Sequence, residues 1–206
     1  WKHKVKRLLF LGSSCIYPKF SEQPIREEYL MSGKLEETNI WYAMAKISGI
    51  KLCEALRKQH EFDAISLMPS NLYGPGDNYH LDNSHVIPAL IRKFYEAKTN
   101  NLDYVNCWGA GKPFREFLHV DDLANGCIFA LERWNPNDDD SPKSEDGNFL
   151  NYLNIGPGKD QSIKSLACEI AKIINYQGSI KWDITKKDGT KRKLLDVSRI
   201  NNMGWH

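Results

Sequence analysis

The chain has 206 residues, enough for one large domain or a domain with a smaller lobe, and long enough to bury a real core. Apolar residues make up 41% and charged residues 26%, an ordinary soluble globular balance. A net charge of +2 gives no electrostatic case for nucleic acid or an anionic membrane as partner, and no apolar run is long enough to span a bilayer or to form a signal peptide.

In chain order, Val5 to Leu11 reads as a short buried strand. Residues 19–38 are polar and turn-rich, a loop. Asn39 can cap a helix from about Trp41 to His60, whose apolar stripe is Ile47, Ile50, Cys53 and Leu56. Ala64 to Met68 is a second buried strand, stopped by Pro69, and NLYGPGDN is a loop. Val86 to Lys98 is a helix with Pro88 in its first turn, and Tyr104 to Trp108 is a strand followed by the turn GAGKP. Val120 to Arg133 is a helix, and its opening HVDD sets two acids at the positive helix end. Residues 135–148 form a solvated loop by composition, and Tyr152 to Ile155 is a strand. Ser162 can cap a helix to Asn175, and Ser179 to Ile184 is a last strand. Strands alternating with helices predict an α/β fold with a largely parallel sheet, and there is no internal repeat.

The five cysteines, Cys15, Cys53, Cys107, Cys127 and Cys168, form no C-x-x-C pair. Reduced thiols in a cytoplasmic protein are expected, all but Cys15 on apolar faces or strands, and no Cys/His group has metal-ligand spacing.

Two short stretches carry chemistry. In YAMAK, Tyr42 and Lys46 stand four apart, on one face of the expected helix. A free phenol has a pKa of about 10, and a neighbouring ammonium favours the phenolate, so such a pair is a tuned proton donor. In LFLGSSCIYP, small nucleophilic residues follow a strand, the edge at which open α/β sheets bind ligands. Ser13 there can hydrogen-bond the carbonyl that the tyrosine protonates.

Ser13, Tyr42 and Lys46 in this order resemble the extended short-chain dehydrogenase/reductase family. PSNLYGPGDN is similar to the family's strand and loop beside the nicotinamide, and REFLHVDDLA to its segment near the sugar-nucleotide site. GSSCIYP, NSHVIPALIRKF, WGAGKPFREFLHVDD and DGTKRKLLDV narrow the resemblance. Together they are similar to the family members that epimerise C3 and C5 of GDP-4-keto-6-deoxy-D-mannose and then reduce C4 with NADPH. The resemblance runs over essentially the whole chain.

It implies a partial Rossmann-like fold, a doubly wound parallel sheet with a smaller C-terminal substrate-binding lobe. Residues 1–84 would be the C-terminal part of the NADP-binding domain with catalytic residues. Residues 85–206 would be mainly the lobe, with 115–155 partly returning to the sheet. Tyr42 would protonate the C4 oxygen, Lys46 would support it and hold the nicotinamide ribose, and Ser13 would orient the ketone. Cys15 and His85 would be the acid and base of epimerisation, in which protons next to the carbonyl leave one face and return on the other. A thiol of pKa about 8.5 and an imidazole of about 6.5 bracket neutral pH. NADP(H) would lie along Leu11, Gly12, Ser13, Ser14, Tyr42, Lys46, Pro69, Ser70, Asn71, Leu72 and His85. Lys93, Trp108, Arg115, Asp188 and Lys193 would hold the GDP-sugar, Lys93 standing where the family is expected to place arginine. The protein would be a cytoplasmic homodimer with no nucleic-acid or membrane partner.

Read without the resemblance, Ser13 and Ser14 are turn residues and Cys15 is a small core residue. His85 then caps a helix, Trp108 is a strand-end aromatic, and His119 is a structural hydrogen-bonder. A single-centre 4-epimerase or 4,6-dehydratase, or a non-catalytic nucleotide-sugar binder on the same scaffold, are the other readings; the pair Cys15 and His85 and the intact Ser13, Tyr42 and Lys46 speak against them. No G-x-G-x-x-G follows a strand, since GPGDNY, GAGKPF and GPGKDQ each lack the third glycine. The chain is therefore expected to be a piece of a longer protein, its cofactor-grasping units before Trp1 and closing helical material after His206. Alone it is expected to be inactive, with little NADPH affinity and an exposed strand edge.

Overall fold

RLLFL, DAISLMP and YLNI are short apolar runs with flanking turns, which suits strands buried on both faces. The computed structural model describes residues 2–80 and 83–206. Its elements in order are β1 (Arg7–Leu11), α1 (Ile40–His60), β2 (Asp63–Pro69), β3 (Asn71–Tyr73), α2 (Val86–Thr99), β4 (Tyr104–Trp108) and β5 (Phe114–His119). Then come α3 (Val120–Arg133), β6 (Tyr152–Ile155), β7 (Asp160–Ser162), α4 (Ile163–Ile174), β8 (Ser179–Asp183), β9 (Arg192–Lys193) and α5 (Ser198–Asn202). Single 3-10 turns lie at Ser14–Ile16, Glu27–Tyr29 and Glu37–Asn39.

The chain divides into two units. The first comprises Trp1–Leu72, Glu116–Lys159 and Lys193–His206, and the second Tyr73–Arg115 and Asp160–Arg192. The sequence-based division falls instead at 84/85 and keeps residues 193–206 in the lobe.

In the first unit β1, β2 and β6 form a parallel sheet in that order. Leu11 stands opposite Leu67, and Pro69 opposite Ile155. Central β2 is buried from Ala64 to Pro69, with Ala64, Ile65, Leu67 and Met68 fully so. Ile47 and Ile50 of α1 pack into the same core, with Leu123 of α3, Leu153, Ile155, Trp134, Ile200 and Trp205. A Cβ on Gly49 would stand 2.8 Å from Phe10 Cε1, so a larger residue there would displace the Phe10 ring that lies between α1 and β1. A buried polar network ties distant segments together. Tyr17 donates to Asn154 Oδ1 (2.6 Å), and Asn154 Nδ2 donates to the Ile25 carbonyl (2.9 Å) and the Asp196 carbonyl (3.1 Å). The Asn154 N–H donates to Glu27 (2.9 Å), and Arg199 pairs with both Glu27 and Glu28.

In the second unit β4 and β8 run parallel, Tyr104 opposite Ser179. Along β4 Val105 and Cys107 are buried while Tyr104, Asn106 and Trp108 are exposed, the alternation of a strand covered on one face. Helix α2 packs on β4 and on α4, through Leu90, Phe94 and Ala97 on one side and Leu166, Ala167 and Ile170 on the other.

The expected α/β class and parallel sheet are present. Several local readings change. The first strand opens at Arg7, two residues late, because Lys4 is in the left-handed region (φ 56°) and Val5 is half exposed. Asn71–Tyr73 is a short strand rather than loop. Asn39 holds the cap position of α1 but makes no cap bond; its side chain donates to the Cys15 carbonyl (3.3 Å). Ser162 does cap α4, accepting from the Ser165 N–H (3.0 Å), and His119 caps α3 through Nδ1, accepting from the Asp121 N–H (3.3 Å). All five cysteines are free, and Cys168 is exposed rather than on an apolar face. Burial pushes the thiols of Cys53, Cys107 and Cys127 up, as suits core residues. Among the described residues no helix is long and apolar enough to cross a membrane, and no cluster could hold a metal.

Candidate active site

Because the sheet of the first unit is parallel, β1, β2 and β6 end on one edge, and the turns that follow them gather there. After β1, the Gly12 N–H donates to the Leu67 carbonyl (2.8 Å), and Ser13 is extended (φ −169°, ψ 148°). The Ser13 hydroxyl then accepts from the Cys15 N–H (3.1 Å) and caps the turn Ser14–Ile16. Of the two serines, Ser13 thus caps the turn, and Ser14 is simply buried. A hydroxyl that accepts on one lone pair keeps its proton to donate.

Helix α1 supplies the proton-donor pair. Lys46 Nζ donates to the Leu11 carbonyl (2.9 Å) and lies 5.8 Å from the Tyr42 ring centroid. The ammonium therefore bridges the tyrosine's helix face and the strand end that carries Ser13. Tyr42 is 45% exposed, so its phenol is open to a ligand.

Cys15 is fixed by its backbone: its N–H is held by Ser13 and its carbonyl by Asn39. Lys193 Nζ donates to its sulfur (3.6 Å). Pro69 at the end of β2 and Ser70 after it are buried, the Ser70 N–H donates to the Ile155 carbonyl (3.0 Å), and Asn71 Nδ2 donates to the Glu116 carbonyl (2.8 Å). Ser70 Oγ is buried with no hydrogen-bond partner among the described residues.

The second unit carries the other expected residues. His85 sits at the cap position of α2 without a side-chain cap bond and is exposed, so its imidazole is not spent on the helix. Lys93 donates to the Asn106 carbonyl (3.1 Å) and stands 4.9 Å from the Trp108 ring, with Lys186 5.3 Å from the same ring. Trp108 is half exposed, an aromatic face with two ammoniums beside it. Asp188 accepts from the Ala110 N–H (2.9 Å) and braces the turn after β4. Arg115 Nη1 donates to the Phe114 carbonyl (2.7 Å).

The donors on the first unit's edge, a phenol, an ammonium and a hydroxyl, fit the ribose and carboxamide end of a nicotinamide cofactor. The diphosphate end has no G-x-G-x-x-G among these residues to hold it. Residue-by-residue reading missed Glu116, Asn39, Gln23 and Lys186. Lys186 was visible as part of a basic run, TKKDGTKRK, but Glu116 and Asn39 gave no local signal.

A model of the NAD dependent epimerase/dehydratase family matches residues 1–142. The chain is 53% identical over 205 residues to GDP-L-fucose synthase 1 of Arabidopsis thaliana, covering 100% of this chain and 59% of that protein. It is 50% identical over 209 residues to GDP-L-fucose synthase of Escherichia coli (strain K12), covering 100% and 63%. Among solved structures it resembles MlghC, a GDP-mannoheptose C4 reductase from Campylobacter jejuni with NADP bound (TM-score 0.81, 33% identity, 98% of this chain and 65% of that one). The chain thus spans about three-fifths of the length of these curated relatives.

Proposed function

Since the chain belongs to the NAD dependent epimerase/dehydratase family, we propose that the protein it comes from makes GDP-L-fucose from GDP-4-keto-6-deoxy-D-mannose. It would do so by 3,5-epimerisation followed by NADPH-dependent reduction at C4. The observation that carries this reading is the strand-end cluster of the first unit: Lys46 bonded to the Leu11 carbonyl beside Tyr42, with Ser13 and Cys15 on the adjoining turn.

Each residue has a chemical task in it. The C4 carbonyl of the substrate makes the protons at C3 and C5 acidic, because the resulting enolate carries its charge on oxygen. Cys15 and His85 are the acid and base, one taking a proton as the other delivers one. Ser13 donates its O–H to the C4 oxygen and Tyr42 gives that oxygen its proton. NADPH, when bound, supplies hydride to C4. Leu11, Gly12, Ser14 and Pro69 to Leu72 are the strand-end residues assigned to the nicotinamide, and His85 is assigned to the same cofactor. Lys46 holds the ribose. Lys93 and Arg115 are assigned to the diphosphate and sugar, Lys193 stands at the Cys15 sulfur, Trp108 offers an aromatic face, and Asp188 supports that side. A cytoplasmic homodimer is part of the same proposal.

The test is to incubate the full-length protein with the keto sugar nucleotide in deuterated water. Deuterium at both C3 and C5 is expected. A product reduced at C4 with no deuterium at either carbon would overturn the two-centre reading in favour of a single-centre relative.

A further inference from the structure

Lys193 was expected to meet the ligand's diphosphate or sugar, yet its ammonium donates to the sulfur of Cys15 (Nζ to Sγ 3.6 Å). Neither partner is a loosely held surface group. Cys15 is pinned at both backbone ends, and the segment after Lys193 is clamped bond by bond. The Leu194 N–H donates to Gln23 Oε1 (2.8 Å), the Ile25 N–H to the Leu194 carbonyl (2.7 Å), and the Asp196 N–H to the Ile25 carbonyl (2.8 Å).

Glu116 completes the clamp. It is 1% exposed, and its two carboxylate oxygens each accept a backbone N–H, from Gly158 (2.8 Å) and from Leu195 (3.0 Å). A Cβ on Gly156 would collide with this carboxylate, so the bare glycine leaves the space that the group occupies. An ammonium that donates to a sulfur stabilises negative charge on it.

We propose that Lys193 is what makes Cys15 the reactive cysteine of this chain, and that Glu116 is the positioning residue that sets Lys193 against it. Within the proposed epimerisation, on which this bearing rests, the thiolate takes a ring proton: the C–H bond breaks, the S–H bond forms, and the electron pair passes to the carbonyl oxygen.

The test needs no sugar nucleotide. Iodoacetamide is added to the full-length protein and alkylation is timed at Cys15, with the exposed Cys168 as internal reference. At neutral pH, Lys193→Met is expected to slow Cys15 about tenfold, Lys193→Arg to restore most of the rate, and Glu116→Gln to fall between, since its amide turns one of the two N–H partners toward an NH2 group. Cys168 should react alike in all. Equal Cys15 rates in Lys193→Met and the parent would overturn the proposal. Where Lys193→Met unfolds, shown by alkylation of the buried Cys53, Lys193→Gln against Lys193→Arg decides by the same criterion. Slowed alkylation without deuterium at C3 and C5 would sink the epimerase reading and keep this pair; deuterium with unchanged alkylation would do the reverse.

Discussion

At the scale of single residues, Tyr42 and Cys15 sit within one cluster but serve different half-reactions in the proposed chemistry. Removing a general acid or base typically costs about 10²–10⁴-fold. Tyr42→Phe is therefore expected to lose reduction by about that factor while ring deuteration persists. Cys15→Ser should lose ring deuteration while still reducing a ketone supplied already epimerised. Both half-reactions are followed separately, by mass of the recovered sugar and by NADPH absorbance; equal loss of both in each variant would refute the division. The placement of Tyr42, Lys46, Ser13 and Cys15 was legible because it depends on local rules: residues four apart share a helix face, and a turn follows a strand. Lys193 was legible only as a positive charge. Its sulfur partner lies 178 positions away, beyond anything spacing can show.

Elements were legible where one face alone is apolar. The stripe of α1 and the cap of α4 are both as expected, with Ile47, Ile50 and Cys53 buried and Ser162 Oγ on the Ser165 N–H. Ser162→Ala should therefore cost about 1 kcal/mol in urea unfolding, the usual loss for a capping hydroxyl; no change would mean that the bond contributes nothing. Strand β5 was hidden for a physical reason. Its inward positions include Glu116, and a charged residue at a buried position breaks the apolar alternation by which strands are recognised. That carboxylate is acceptable inside because two backbone N–H groups satisfy it. Strands β7 and β9 have three and two residues, too short to carry any period, and they exist through their neighbours.

At the scale of the molecule, the first unit is assembled from three separate stretches, and the network around Asn154 and Arg199 holds them together. Burial pushes the Glu27 carboxyl above its usual range against the pull of the Asn154 N–H and Arg199. Burial also pushes Glu28 up, but its bonds to Arg199 outweigh this and leave it below the usual range. The signs differ. The stability linked to Glu28 is present above its unfolded value and is lost as pH falls through the folded one. That linked to Glu27 is present at low pH and is lost as pH rises through its raised value. Arg199→Met would leave Glu27 buried without its cation, a loss of about 3–5 kcal/mol near neutral pH. The deficit should shrink as pH falls through the raised value of Glu27, where the carboxyl takes a proton instead. Urea unfolding at neutral and at acidic pH checks this, and a deficit that stays constant or grows on acidification would contradict it.

The sequence by itself determined the α/β class, the Tyr42–Lys46 pair, and the placing of Ser13 and Cys15 at a strand end. Each of these follows from periodicity or turn chemistry within a few residues. Only the tertiary structure decided that Ser13 rather than Ser14 caps the turn, and that Asn39 holds Cys15 instead of its helix. It also decided that Lys193 meets the Cys15 sulfur, that Glu116 holds the Leu195 N–H two residues further on, and that Asn154 joins segments up to 137 positions apart. Those outcomes rest on which distant backbone groups need a partner once the sheet has closed, and a linear pattern carries no record of that need.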